Sequence, residues 1–301
     1  MTADRLGDSL FVATPGLWFE GARLRTLPAS VAPVLVGSGA AAAAGSFVAW
    51  KAALALVVAL ALQVGSNYAN DYSDGIRGTD DHRVGPQRLV GSGAAAPAAV
   101  KQAAYACFAV AAVCGLVLAL TTAWWLVALG AVAIGAAWFY TGGRRPYGYH
   151  ALGEVSVFVF FGLMAVVGTA YVQTLRVTWP AIAGAVAIGS LTCAILVANN
   201  LRDIPTDAAS GKRTLAVMLG DDRTRLLYVG LHVLAYALVV VLALTTTPWT
   251  LLALLALGLA RRPLSQVKRG VSGRDLVPVL RDTGLAELAF AILLTAALAL
   301  S

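Results

Sequence analysis

Residues 52–74 read AALALVVALALQVGSNYANDYSD, an apolar run that turns polar at its end without a break. Residues three and four apart share one face of a helix, so the pattern places Asn67, Asn70, Asp71 and Asp74 on one polar stripe. The apolar part is typical of a helix that crosses a lipid bilayer, and the stripe falls at the membrane boundary. The stretch therefore predicts a membrane helix that ends in a cluster of amide and carboxylate oxygens.

The whole chain has the composition of an integral membrane protein. Of its 301 residues, 59% are hydrophobic and only 12% are charged, whereas soluble domains carry about 25% charged residues. A span takes about 20 apolar residues, so no sizeable soluble domain remains. We expect an all-α integral membrane fold, a bundle of nine transmembrane helices with a cytoplasmic polar cap. The nine apolar runs are 27–47, 52–66, 95–120, 123–140, 151–172, 179–198, 226–244, 248–260 and 284–300.

The basic residues predict the orientation of this bundle. Nine crossings place the amino terminus and every second loop on one side, and all 22 lysines and arginines except Lys51 and Arg176 fall there. The positive-inside rule makes that side cytoplasmic and puts the carboxyl terminus outside. Topology thus explains the net charge of +7, and we expect no nucleic-acid partner. The preference for arginine over lysine is typical of a GC-rich bacterial genome, so we expect a multi-pass protein of the bacterial inner membrane.

Residues 1–26 form a separate region before the nine-helix domain of residues 27–301. Within this region PGLWFEGARLRT mixes aromatic, aliphatic and basic residues, as a cytoplasmic amphipathic segment on the membrane surface does. Its simplest role is a surface anchor.

A second polar cluster, Asn199-Asn-Leu-Arg-Asp-Ile-Pro-Thr-Asp207, closes the sixth apolar run. Asp203 and Asp207 are four residues apart and share a helix face, but Pro205 lies between them, so we expect the helix to kink or begin anew there. Both clusters end an even-numbered helix, which indicates an internal duplication with two acidic rims.

Grouped carboxylates repel one another unless a cation neutralises them. Oxygen ligands favour a hard cation, and Mg²⁺ takes one or two carboxylates while leaving positions for phosphate oxygens. The pattern therefore predicts Mg²⁺ and a diphosphate substrate, although any single aspartate here has a solvated helix end as its alternative role. Nearby cations that complete the diphosphate cradle are Arg77, Arg83, Arg88, Arg202, Lys212 and Arg213.

Three longer strings resemble the UbiA superfamily of intramembrane aromatic prenyltransferases. They are NYANDYSDGIRGTDDHRVGPQRLV, YTGGRRPYGYHALGE and NNLRDIPTDAASGKRTLAVMLG. The first cluster resembles the NDxxD-type motif of the family and the second its DxxxD motif. The strings are most similar to the branch that prenylates 1,4-dihydroxy-2-naphthoate in menaquinone synthesis, and the resemblance covers essentially the whole chain.

The resemblance implies that a polyprenyl group passes from polyprenyl diphosphate to 1,4-dihydroxy-2-naphthoate, with loss of CO₂ and diphosphate, to give demethylmenaquinone in its reduced, quinol form. It implies two Mg²⁺ ions between Asp71 and Asp74 on one side and Asp203 and Asp207 on the other. Many superfamily members have a third aspartate where this chain has Gly78, so Asp80 or Asp81 completes the first metal site. Expected substrate-binding residues are Asn67, Asn70, Arg77, Arg83, Arg202, Lys212, Arg213, Tyr72, Tyr140 and Tyr149.

Several alternatives stay open at this point. Another acceptor, such as 4-hydroxybenzoate, homogentisate or a haem, would keep the enzyme class. A secondary transporter also combines repeats with intramembrane carboxylates, but its acids are expected near mid-membrane. Tyrosines at the membrane boundary also form interfacial belts. Glu154 has two candidate roles: it orients an arginine or the acceptor hydroxyl, or it forms a simple ion pair at the helix end. His232 is expected to form a buried interhelical hydrogen bond. Prenyl chain length and oligomeric state are not encoded in these patterns, and membrane lipid is the expected surrounding.

Overall fold

A computed structural model describes residues 13–78 and 88–301 of the chain. Within these ranges every regular element is a helix, and the β pairing is limited to an isolated bridge between His150 and Arg213. The all-α prediction is confirmed.

The helices follow the apolar runs of the sequence. In chain order they are α1 (Pro15–Ala22), α2 (Pro28–Ala43), α3 (Ala49–Gly75), α4 (Pro97–Leu120), α5 (Leu126–Phe139), α6 (Gly153–Val157), a π-helix (Phe158–Val167), α7 (Gly168–Thr174), α8 (Trp179–Ala209), α9 (Leu215–Thr245), a 3₁₀-helix (Pro248–Ala256), α10 (Leu257–Lys268) and α11 (Leu276–Ala299). Proline in the first turn and threonine caps set several starts: Pro97 begins α4, and the Thr178 hydroxyl accepts the Ala181 N–H at the start of α8.

The described residues contain six helices that are long and apolar enough to cross a membrane, or seven if Pro15–Thr26 and Pro28–Ala43, which meet at 48°, form one span. The protein is therefore a multi-pass membrane protein. The fourth apolar run forms α5, whose 14 residues reach only about 21 Å. The eighth run divides into the 3₁₀-helix Pro248–Ala256 and α10. Nine crossings therefore stay a prediction.

Small residues bring the helices into close contact around α8. A methyl group on Gly162 of the π-helix would lie 2.7 Å from Cα of Gly189 in α8, so these backbones pack directly against each other. In α8, 78% of the most apolar 18-residue stretch is buried inside the bundle. The alanine and glycine content of the spans thus serves close packing, as is usual for membrane helices.

Both polar clusters lie inside helices. α3 continues to Gly75 and α8 continues to Ala209, so Asp203 and Asp207 share one helix despite Pro205. Of the two alternatives expected at Pro205, a kink or a new helix, the structure excludes the new helix. A break occurs instead in α9, where Gly220 has φ 76° and ψ 176°.

Candidate active site

A cavity of about 1180 Å³ runs between the helices, larger than the roughly 300–1,000 Å³ of usual ligand sites. One end is polar and is lined by side chains from both clusters, and the rest of the wall is mostly apolar. The polar-end residues are Asn67, Asn70 and Asp74 of α3 and Asn199, Asn200, Asp203 and Asp207 of α8. The two acidic helix ends therefore face one shared space.

Asp74 is buried and is held by the chain that follows α5 and α8. Its Oδ1 accepts a hydrogen bond of 2.5 Å from the Tyr149 hydroxyl, and its Oδ2 lies 4.0 Å from Nζ of Lys212. The Lys212 ammonium also lies 4.6 Å from the centre of the Tyr149 ring. The Arg213 N–H donates to the Tyr149 carbonyl at 2.9 Å. Tyr149 thus links the first cluster to the segment that follows the second.

Arg77 stabilises the loop after α5 instead of lining the cavity. Its guanidinium donates to the carbonyls of Thr141 and Gly143 and stacks 5.7 Å from the Tyr149 ring centre. The Thr141 hydroxyl in turn donates to Oδ1 of Asn70 at 2.7 Å. Arg77 therefore acts on the site through this loop.

Arg202 is occupied by its neighbour Asp203. Its Nε and Nη2 donate to the two carboxylate oxygens of Asp203 at 2.7 Å, and Nη2 also donates to Oδ1 of Asn199 at 2.9 Å. Because both residues are buried, this pair balances charge within the helix wall. Arg202 does not line the cavity, so its predicted direct contact with substrate is not supported.

Asp71 is fully buried and is not among the residues that line the cavity. Its two carboxylate oxygens accept the backbone N–H groups of Leu89 and Val90 at 2.9 and 3.0 Å. These contacts place the Asp71 carboxylate at the edge of the face that carries Asn70 and Asp74, beside Leu89 and Val90. Asp71 lies one position beyond Asn70, about 100° around the helix. This rotation turns it toward the returning chain, the segment with Leu89 and Val90 that leads into α4.

The remaining predicted residues divide into two groups. Tyr140 and Tyr149 line the cavity, as does Lys212. Tyr72 packs instead against Trp138 with ring centres 6.1 Å apart, and the Arg213 side chain is exposed. Asp80, Asp81 and Arg83 lie outside the described residues.

Arg23 and Glu154 have positions at the site that the sequence did not predict. Arg23, placed by the sequence in the surface segment, lines the cavity, and its φ of 53° puts it in the left-handed region at the end of α1. No sequence signal identifies this bend. Glu154 is buried, and its Oε1 accepts from Nδ2 of Asn200 at 2.9 Å, so it orients an amide of the second cluster rather than an arginine.

Tyr147 lines the cavity and also holds the loop after α5. Its hydroxyl lies 2.8 Å from the Ala136 carbonyl and 3.0 Å from the Ser156 hydroxyl. Burial raises the pKa of Tyr147, which keeps the phenol neutral and able to donate. His232, expected to bond between helices, instead places Nδ1 2.9 Å from the Tyr228 carbonyl of its own helix.

The donor set of the polar end suits a hard divalent cation. Asp74, Asp203 and Asp207 supply carboxylates, and Asn70 and Asn199 supply amide oxygens. In the part of the chain that the structure describes, no three acidic, histidine or cysteine side chains converge on one metal position. The carboxylates stand on two walls, an arrangement that fits Mg²⁺ held by one or two carboxylates together with substrate phosphates.

The chain is similar to known proteins over most of its length. It matches the UbiA prenyltransferase family over residues 30–272. It is 59% identical over 282 residues to the 1,4-dihydroxy-2-naphthoate octaprenyltransferase of Mycobacterium tuberculosis, covering 94% of this chain and 96% of that protein. It is 40% identical to the protein of the same name from Escherichia coli, over 69% of this chain and 70% of the relative.

Solved structures share the fold at low sequence identity. A UbiA homolog from Aeropyrum pernix aligns with a TM-score of 0.67 at 17% identity, over 89% of this chain and 96% of that one. A UbiA homolog from Archaeoglobus fulgidus bound to GPP and Mg²⁺ aligns with a TM-score of 0.63 at 13% identity, over 93% and 99%.

Proposed function

Because the chain belongs to the UbiA prenyltransferase family, we propose that it transfers a polyprenyl group from polyprenyl diphosphate to 1,4-dihydroxy-2-naphthoate. The protein is a prenyltransferase, and two relatives that are 59% and 57% identical to it over 94% of its length carry that acceptor in their names. One structural observation carries the proposal. The acidic ends of α3 and α8 line the polar end of a single cavity whose remaining wall is mostly apolar.

The polar end would bind the diphosphate. Asp74, Asp203 and Asp207 would hold two Mg²⁺ ions, which neutralise the charge that develops on the departing diphosphate. Lys212 and Arg88 line the same end and add positive charge for the phosphate oxygens. Arg202 keeps the Asp203 carboxylate oriented through two bonds of 2.7 Å.

The apolar part would hold the prenyl chain. Lining residues on α3 run from Asp74 to Ala55, a distance of about 28 Å along a helix. The π-helix Phe158–Val167 also lines the cavity. At the far end the rings of Trp125 and Tyr171 lie 5.3 Å apart. A long apolar chain thus finds a matching wall, and its diphosphate remains at the polar end.

Aromatic rings near the polar end would shield the allylic cation that ionisation leaves. Tyr140 and Tyr149 line the cavity at this level, and ring faces stabilise a nearby cation by about 0.5–2 kcal/mol. The naphthoate, an electron-rich ring, attacks the cation, and the incoming group replaces the carboxylate, which leaves as CO₂.

We also propose that the polar end faces the cytoplasm of a bacterial cell, with the amino terminus inside and nine crossings in total. The distribution of lysine and arginine supports this orientation.

The test is an assay with purified protein, Mg²⁺, labelled polyprenyl diphosphate and carboxyl-labelled 1,4-dihydroxy-2-naphthoate. We expect one CO₂ and one diphosphate released for each prenyl transferred. Prenylated 4-hydroxybenzoate or homogentisate, with no reaction of the naphthoate, would show a different acceptor. No product with any aromatic acid would overturn the enzyme function, and a transporter would release neither leaving group.

A further inference from the structure

We propose that Asp71 is a positioning residue that holds Arg88 at the polar end of the cavity, and that it is not a ligand of the metal ions. The proposal rests on the proposed function, since Arg88 matters only if a diphosphate binds there. It separates two neighbouring acids of the first cluster, Asp71 and Asp74, by what each one touches.

Both oxygens of the Asp71 carboxylate are occupied by the backbone. They accept the N–H groups of Leu89 at 2.9 Å and Val90 at 3.0 Å, and the residue is 0% exposed. A carboxylate that accepts two backbone N–H groups is held in one orientation. Because Asp71 does not line the cavity, this orientation points the charge at the returning chain.

The segment that Asp71 holds is packed closely on both sides. Leu89 is 2% exposed, and a methyl group on Gly21 would lie 2.6 Å from its side chain. A methyl group on Gly75 would lie 2.5 Å from Cβ of Val90. Leu89 thus packs against α1, and Val90 packs against the last turn of α3. The two hydrogen bonds to Asp71 fix the position of both residues along α3.

Arg88 directly precedes this clamped pair and lines the cavity together with Asn70 and Asp74. Its backbone position follows from that of Leu89, so a loose segment would displace the guanidinium. A guanidinium beside Mg²⁺-binding carboxylates is suited to phosphate oxygens, to which it donates two bonds in a fixed geometry. Asp71 therefore acts on substrate affinity through Arg88.

Asparagine at position 71 gives a sharp test because it keeps the size of the side chain. It has one acceptor oxygen and an NH₂ group, so one backbone N–H would face a donor instead of an acceptor. We expect Asp71→Asn to raise the KM for polyprenyl diphosphate about tenfold. The Mg²⁺ concentration for half-maximal activity should stay at the wild-type value, whereas Asp74→Asn should raise it.

A double-mutant cycle distinguishes positioning from general damage. If Asp71 works through Arg88, the KM of the double variant Asp71→Asn/Arg88→Ala should equal that of Arg88→Ala alone. Multiplied effects of the two changes, or a Mg²⁺ requirement that rises as it does in Asp74→Asn, would overturn the proposal. Should Asp71→Asn fail to fold, Val90→Pro removes one of the two donors and leaves Asp71 intact. That variant should raise the KM at unchanged Mg²⁺ dependence, and an unchanged KM would overturn the proposal. An inactive wild-type protein would instead refute the proposed function.

Discussion

The Tyr149 hydroxyl lies 2.5 Å from Oδ1 of Asp74, so the loop after α5 donates directly to a carboxylate of the first cluster. The same ring lies 4.6 Å below the Lys212 ammonium. One tyrosine therefore fixes an acid and a base that belong to different halves of the chain.

Tyr149→Phe should lower kcat/KM about tenfold, because it removes a hydrogen bond to a charged group and keeps the ring under Lys212. Prenyl transfer and thermal unfolding are measured together. Tyr105→Phe is the control. Tyr105 lies on α4 outside the cavity lining, and its ring centre is 5.0 Å from that of Trp138. Equal activity of the two variants would show that the Tyr149 hydroxyl has no role in transfer.

Replacement of any of Asp74, Asp203 or Asp207 by asparagine should lower turnover by about a hundredfold or more, because several kcal/mol of charge stabilisation depend on the metal ions. Asparagine is preferred to alanine at position 203, where the buried Arg202 would otherwise lose its partner. Asp221→Asn is the matched control, since that carboxylate is half exposed and pairs with Arg225 on α9. Wild-type turnover in two of the three variants would remove the metal assignment.

A chelator should abolish transfer, and Mg²⁺ should restore it. Ca²⁺ should restore it poorly, because it takes six to eight longer bonds and would hold the diphosphate differently. Initial rates across a metal titration test this. Full activity in chelator would mean that the carboxylates act without a divalent ion.

Ala59→Trp should block long prenyl chains and spare short ones. Ala59 lines the apolar wall, about 22 Å along α3 from Asp74. The ratio of rates with octaprenyl and geranyl diphosphate is the measurement, and it should fall strongly. Val113→Trp is the control, because Val113 is 64% exposed on α4. Equal ratios in both variants would place the prenyl chain elsewhere.

Orientation can be read by cysteine labelling after Cys107, Cys114 and Cys193 are replaced. Ser210→Cys and Ser272→Cys should react with an impermeant thiol reagent only from the cytoplasm, and Thr246→Cys only from outside. Serines serve better than Gly211 and Gly270, whose φ values of 75° and 84° strain a side chain. The reversed labelling pattern would invert the proposed topology.

Helical periodicity was sufficient to predict that Asn67, Asn70 and Asp74 face one site, because a spacing of three and four residues defines a face in any helix. The periodicity did not distinguish Asp71 from these residues. Asp71 lies at the edge of that face, and its carboxylate accepts the backbone N–H groups of Leu89 and Val90. That contact depends on where the chain returns, which no local pattern encodes.

The basic residues show the same limit. A charged side chain near an acidic cluster predicts a substrate contact, yet Arg202 pairs with Asp203 and Arg77 with two loop carbonyls. Arg23 lines the cavity from the segment Pro15–Thr26, which meets the next helix at 48°. Tertiary packing decides which cations remain available to a ligand.

The shape of the cavity depends on the hydrogen-bond pattern of the π-helix Phe158–Val167. Each of its backbone bonds spans five residues instead of four, so the wall carries more side chains for its height. Loss of one residue from this stretch, with its helix type kept, would shift the side chains of α7 by one position, about 100° around the helix axis. Tyr171 and Val172 would then turn out of the cavity, and Gln173 would lose the Val48 N–H that it accepts at 3.0 Å. A single-codon deletion could in this way remodel the far end of the prenyl site while every polar-end residue stayed in place.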